Sequence, residues 1–256
     1  MRTIEESVVI ALDGKDKHLY PYLPYILQDL WEFGASPEII IKLIKSHKSD
    51  FENLKILDLG SGKGAVSIKL AKEFKCYCFG IEAVKEFVDE SIIKAKKHNV
   101  EKYCEFEVGD VRTKLIDDIK YDIVILGAIG QVFGDYYSTL TKIKKYLLSN
   151  GLIIIDDSYK NETSNFSHSQ VEKKSHIINQ ITNAKMRLID EVIITEEQIK
   201  ESNKVIFNKI KTRCEELIKK EPENSHLFEE YVKNQENENE VLEKEVICST
   251  MVIENI

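Results

Sequence analysis

The chain has 256 residues, enough for one sizeable core with an appendage, and 43% of them are apolar, which excludes a disordered chain. A net charge of −8 and only four arginines (Arg2, Arg112, Arg187, Arg213) exclude the basic face that a nucleic-acid partner demands. No apolar run approaches the ~18–20 residues of a membrane span, and Glu5, Glu6, Asp13 and Asp16 interrupt any apolar leader, so the expected location is the cytoplasm, away from membranes.

The first fifty-odd residues carry no repeat. His18 to Tyr25 is aromatic-rich with two prolines, and Leu27, Leu30, Trp31 and Phe33 follow at roughly helical spacing up to Gly34. Ser36-Pro37-Glu38 then opens a helix, with serine as N-cap and proline where its missing N–H costs nothing. Ile40, Leu43, Ile44 and His47 form its stripe. The aromatics suit a cover on the ligand-binding edge of a sheet and plain closure of the core equally.

From Leu54 onward strand and helix patterns alternate. Strands are expected at 54–59, 76–81, 104–108, 121–126 and 152–155. The helices between them are marked by Val66, Leu70, Ala71 and Phe74, then Phe87, Val88, Ile92 and Ala95, then Tyr136, Leu140, Ile143 and Leu147. Ser149-Asn150-Gly151 reads as a turn. A helix around Val171, Ile178 and Ile181 leads to a strand at 186–194. Thr195 and Gln198 make a capping box that opens a long helix, Pro222 breaks it, and a second piece carries Leu227, Phe228 and Tyr231. The polar stretch Asn234 to Glu240 follows, and 246–253 is a closing strand. Lysines 94–97 and 142–145 read as solvated helix faces. The five cysteines lack metal-ligand spacing and read as buried free thiols.

Parallel strands need helical crossovers, so this order predicts an α/β fold with a doubly wound, mostly parallel seven-stranded sheet. The expected organisation is an N-terminal helical cap (1–53), a Rossmann-like core (54–195), a helical insertion (196–245) and a closing strand (246–256). The insertion suits a dimer surface and a substrate lid equally.

The chemistry concentrates between Leu54 and Glu82. Gly60, Gly62 and Gly64 fill a strand-to-helix loop that lets a ligand approach the backbone. Gly60, Gly62 and Ala65 also satisfy G-x-G-x-x-[G/A], and Glu82 stands where a ribose-binding acid would be, which on its own favours a dinucleotide. Asp58, two residues before the first glycine, tilts the choice. A carboxylate there suits the amino-acid end and sulfonium charge of S-adenosylmethionine and does little for a pyrophosphate. Asp110, after the third strand, suits an adenine amine. Asp156-Asp157 reads as turn residues at a strand end, not as a metal site.

On these residues the chain resembles the class I S-adenosylmethionine-dependent methyltransferases over roughly residues 54 to 158. The resemblance implies an antiparallel last strand and a glycine loop, Gly60-Ser61-Gly62 to Gly64, that wraps the methionine part beside Asp58. It further implies that Glu82 with Ala83 meets the ribose, that Asp110 and Val111 meet the adenine, and that Gly127 and Ala128 line the other side. The segment with Trp31 and Gly34 looks like the helical cap of small-molecule members. Gly-Ala-Ile-Gly at 127–130 departs from the Asn/Asp-Pro-Pro-Tyr motif of members that methylate bases or protein glutamine. The expectation is methyl transfer to a small-molecule acceptor. An NAD(P)-dependent oxidoreductase and a non-catalytic cofactor-binding protein are the alternatives. Candidates for a base, where the acceptor needs one, are Asp157, Tyr159, His168 and Tyr20 or Tyr22.

Overall fold

In the computed structural model, which describes residues 2–115, 119–167 and 171–256, seven strands form one sheet. They are β1 (Lys55–Leu59), β2 (Tyr77–Glu82), β3 (Cys104–Val108), β4 (Tyr121–Gly127), β5 (Leu147–Tyr159), β6 (Met186–Ile193) and β7 (Ile247–Asn255), in the order β3-β2-β1-β4-β5-β7-β6. β1 to β5 are mutually parallel, and β7 slots antiparallel between β5 and β6. The strand order reverses at β1 and β4, so the carboxyl ends of these strands open a crevice where ligands of such sheets bind.

The helices are α1 (Ile4–Ala11), α2 (Leu23–Ile26), α3 (Pro37–His47), α4 (Ala65–Phe74), α5 (Lys85–Lys97), α6 (Tyr136–Ile143), α7 (Lys174–Asn183), α8 (Glu196–Lys220) and α9 (Ser225–Lys244). α3, α4 and α5 cover one face of the sheet through Ile40, Ile44, Ile68, Ala71 and Ala95. α6 and α7 cover the other through Tyr136, Leu140, Ile177 and Ile181. The continuous apolar character of β4 and β5 follows from burial on both faces.

A third cluster joins the two ends of the chain. Leu19, Leu23, Ile26 and Leu30 pack against Ile210, Cys214, Leu217, Leu227, Phe228 and Tyr231, with Val84 and Phe87 from the start of α5. The N-terminal segment and the α8–α9 hairpin therefore form one helical layer above the strand ends. Ser36 caps α3, the Thr195–Gln198 box caps α8, and Pro222 separates α8 from α9, as the sequence indicates.

Four local expectations are corrected. The spacing of Leu27, Leu30, Trp31 and Phe33 is not a helix. α2 ends at Ile26, and Trp31 leaves the helical path to donate its indole N–H to the Lys63 carbonyl at 3.0 Å. Residues 149–151 belong to β5, which starts at Leu147 and shifts register against β4 between Tyr121 and Ile123. Asp156 and Asp157 are strand residues of β5, because the antiparallel β7 pairs with that strand as far as Tyr159. The polar stretch 234–240 continues α9, where Gln235 donates to the Leu12 carbonyl and to Asp13. A further bulge falls between Leu188 and Asp190, where β6 meets β7. No described helix is long and apolar enough to cross a membrane.

Phe228 is fully buried and meets Tyr22 edge-on with 4.9 Å between ring centroids. Phe228→Ala is expected to cost ~3–5 kcal/mol in urea unfolding. Val205→Ala, on the half-exposed face of α8, is expected to cost less than ~0.5 kcal/mol.

Candidate functional site

β1 delivers Asp58 and then breaks into the glycine loop, because Gly60 adopts φ +69 and Gly64 φ +71, values that side chains resist. A Cβ on Gly60 would collide with the Ile129 side chain, so glycine lets the loop and the turn after β4 close on one another. Gly64 serves α4 instead: it is the N-cap, and a Cβ there would press on Phe106 and Ser91.

Two carboxylates flank the loop, both largely withdrawn from water (Asp58 3% exposed, Glu82 8%). Glu82 accepts N–H bonds from Gly62 at 3.0 Å and Val84 at 2.8 Å, so the end of β2 holds the glycine loop in place. Burial raises its pKa, and the backbone donors pull it back. Asp58 accepts the Ser67 hydroxyl at 2.6 Å, and burial pushes its pKa up to about 6. Each carboxylate keeps lone pairs for further donors.

Asp110 stands after β3 and is engaged by its neighbour Arg112. The Arg112 backbone N–H donates to Oδ1 at 2.8 Å, Nε lies 2.9 Å from both oxygens, and Nη2 lies 2.8 Å from Oδ2. The guanidinium holds the Asp110 carboxyl below its ordinary range. Arg112 also donates through Nη1 to the Ser7 hydroxyl at 3.1 Å and to the Arg2 carbonyl, tying this loop to α1.

These groups wall one cavity of about 1090 Å³ including its open mouth. Of the cofactor residues expected from sequence, Asp58, Gly60, Ser61, Gly62, Glu82, Ala83, Asp110, Val111, Gly127 and Ala128 all border it, and Gly64 does not. Ile4, Ser7 and Val8 of α1 close it on one side, and Trp31, Phe33 and Ala35 on another.

A smaller cleft of about 350 Å³ adjoins it through Ile129 and is bordered by Gly130, Tyr136, Asp156 and Asp157. Asp157 accepts the Tyr136 hydroxyl at 2.9 Å and the Ser158 N–H at 2.7 Å, and Asp156 accepts the Thr250 hydroxyl at 2.6 Å. Burial raises the pKa of both acids, that of Asp156 to about 6. The other candidate bases do not converge here. Tyr159 points to the α7 side, where its hydroxyl accepts from Lys174 at 3.2 Å. Tyr20 packs into the cap cluster, and Tyr22 donates to Glu221 at 2.5 Å. His168 lies outside the described residues. No group of three or more metal-ligating side chains occurs among the described residues.

Sequence reasoning missed α1, Lys63 and Arg112. The signal for α1 was present, since Thr3 and Glu6 form a capping box at its start. The roles of Lys63 and Arg112 rest on contacts with Leu27 and Ser7, distant in sequence, and no local pattern announces them.

Comparison with known proteins agrees with this geometry. A family model described as a methyltransferase domain matches residues 50–244. A release factor glutamine methyltransferase of Fusobacterium nucleatum is 28% identical over 149 residues, which are 53% of this chain and 42% of that protein. A malonyl-[acyl-carrier protein] O-methyltransferase of Bacillus cytotoxicus is 26% identical over 145 residues, 54% of this chain and 49% of that protein. The chain thus spans less than half the length of these curated relatives. The structure of a SAM-dependent methyltransferase from Geobacter sulfurreducens, in complex with S-adenosyl-L-homocysteine, superposes with a TM-score of 0.77 at 14% identity, covering 92% of this chain and 98% of that one.

The raised pKa of Asp58 fixes the sign of a stability effect. Folding makes this group take up a proton, so its contribution is intact below the unfolded value of 3.8 and is lost as pH rises through about 6. Asp58→Asn is therefore expected to stabilise the ligand-free protein at pH 7.5 by on the order of 2 kcal/mol. In thermal melts that gain should shrink as pH falls from 6 towards 4.

Proposed function

The chain belongs to the methyltransferase domain family, and on that premise we propose that it transfers a methyl group from S-adenosylmethionine to a small-molecule acceptor. The observation that carries the cofactor reading is the pair of buried carboxylates, Asp58 and Glu82, on either side of a glycine loop that one of them holds. A pyrophosphate would meet a buried anion at Asp58, which disfavours the dinucleotide alternative.

In this reading Asp58 holds the cofactor's ammonium, and the loop from Gly60 to Gly64 lies along the methionine part. Glu82 takes the vicinal ribose hydroxyls with the lone pairs that Gly62 and Val84 leave open. Asp110 and Val111 border the adenine, and Arg112 keeps the Asp110 carboxylate ionised and in place. Gly127 and Ala128 leave room on the opposite side. The bound cofactor supplies an electrophilic methyl carbon on a sulfonium, so the protein's part is alignment and exclusion of water. The walls made by α1 and by Trp31 and Phe33 suit that task.

Residues 1–53 cover a site carried by 54–195, the insertion 196–245 packs against that cover, and 246–256 is the closing strand of the core. The acceptor enters the cleft beside Ile129, and an acceptor hemmed in by these walls is a small molecule. Where it must lose a proton, we assign that role to Asp157, which borders the cleft and accepts the Tyr136 hydroxyl. An acceptor that already carries a free lone pair needs no base.

Thermal melting with S-adenosylhomocysteine tests the reading: ligand at ~100 times its dissociation constant is expected to add about 2.7 kcal/mol, and an unshifted melt at millimolar ligand would exclude it. Glu82→Gln is expected to weaken binding by ~1.5–3 kcal/mol in calorimetry, since a charge-assisted acceptor is lost and an amide NH₂ faces a backbone N–H. Because the ligand's ammonium favours ionised Asp58, affinity should fall as pH drops below about 6.

A further inference from the structure

One side chain of the glycine loop has no part in that reading, although its residue borders the cavity. Lys63 stands between Gly62 and Gly64 and is 2% exposed. Its ammonium donates to the Leu27 carbonyl at 2.7 Å, pairs with Glu90 at 2.8 Å and lies 5.5 Å from the centre of the Phe87 ring. Its own carbonyl accepts the Trp31 indole N–H at 3.0 Å. Leu27 and Trp31 delimit the turn by which the cap descends to the cavity, and Phe33, just beyond, packs edge-on against Phe87. Both ends of Lys63 therefore hold the same stretch of cap, while Glu90 anchors its charge to α5.

An ammonium taken out of water costs several kcal/mol, and an apolar side chain of similar volume in such a place is often neutral or stabilising. The loop itself needs only its glycines and backbone N–H groups to receive a ligand. Stability is thus a poor account of a buried lysine here, whereas direction is a good one: ion pair and carbonyl bond fix where the cap can rest, which apolar packing does loosely.

We propose that Lys63 is a positioning residue that locks the cap segment 27–35 onto the glycine loop and so sets the cavity wall beside the methionine end of the cofactor. This rests on the cofactor reading given above. Trp31, Phe33 and Ala35 belong to that wall, and all three follow the Leu27 carbonyl that Lys63 holds.

Lys63→Met keeps the length and apolar stem and removes the charge. Its ligand-free melting temperature is expected within ~4 °C of the wild type or above it. Its dissociation constant for S-adenosylhomocysteine is expected to rise about tenfold or more, and amide hydrogen exchange over 28–35 in the ligand-free protein should accelerate. Binding within about twofold of wild type with unchanged exchange would overturn the proposal, as would a loss of affinity matched by a global loss of stability. If Lys63→Met fails to fold, Trp31→Phe decides, because it removes the N–H that bonds the Lys63 carbonyl and keeps an aromatic ring where the indole stacks on His98 and borders the cavity. It should weaken binding about threefold or more and speed exchange in the same amides, and no change in either overturns the coupling. Should the wild type bind no S-adenosylhomocysteine, the cofactor reading fails, and exchange over 28–35 in ligand-free Lys63→Met still decides whether the residue locks the cap.

Discussion

A carboxylate at the end of β2, shared between two backbone N–H groups, is the constraint on which the site depends. Glu82 is buried without a cationic partner among the described residues, and such a group is tolerated only when donors surround it. Gly62 and Val84 provide two, one from the loop after β1 and one from the start of α5. The interaction thereby fixes the loop relative to β2 and leaves the carboxylate's remaining lone pairs facing the cavity. Asp58 repeats the pattern with donors from Ser67, and its raised pKa expresses a burial that these donors offset only in part. Two buried carboxylates thus border one cavity beside the glycine loop.

Around this centre the fold supplies a rigid floor and a built cover. The floor is the sheet, packed on both faces. The cover joins distant parts of the sequence, because the N-terminal segment and the α8–α9 hairpin share one apolar cluster. Polar links repeat the union: Tyr22 to Glu221, Tyr25 to Glu216, Arg213 to Asp29 and Gln235 to Asp13. A substitution in α9 can therefore be felt in the cavity wall without touching it.

Much of the floor was legible in the sequence because strand, glycine loop and acid recur at fixed spacing, and each signal is local. Asp58, Gly60 and Glu82 announce themselves by position, whereas Gly127 came only with the resemblance. The antiparallel β7 followed from a resemblance and not from periodicity, since an apolar strand reads the same in either direction. The cover was less legible. Trp31 sits where a helical stripe would place it, yet its indole finds a carbonyl in the glycine loop, and that long-range bond overrides the local pattern. Asn234 and Gln235 read as the end of a helix because they are polar, but they are buried in the interior of α9, where Gln235 is satisfied by the turn after α1. Tyr159 and Tyr20 carried no directional information. A strand residue's facing depends on register, and the extension of β5 along β7 aimed Tyr159 at α7.

The edges of the sheet carry their own consequence. β3 on one side alternates Glu105 and Glu107 with partly buried Phe106, so a chain approaching along that strand meets two carboxylates. β6 on the other side is interrupted by the bulge between Leu188 and Asp190, which twists the strand and leaves Arg187, Asp190 and Glu191 along its length. Charged and bulged edges are poor templates for strand addition, and β1, β4 and β5, whose apolar runs would aggregate if exposed, lie away from both. The segments whose exposure would favour aggregation therefore lie in the interior of the sheet, each paired with a neighbouring strand on both sides.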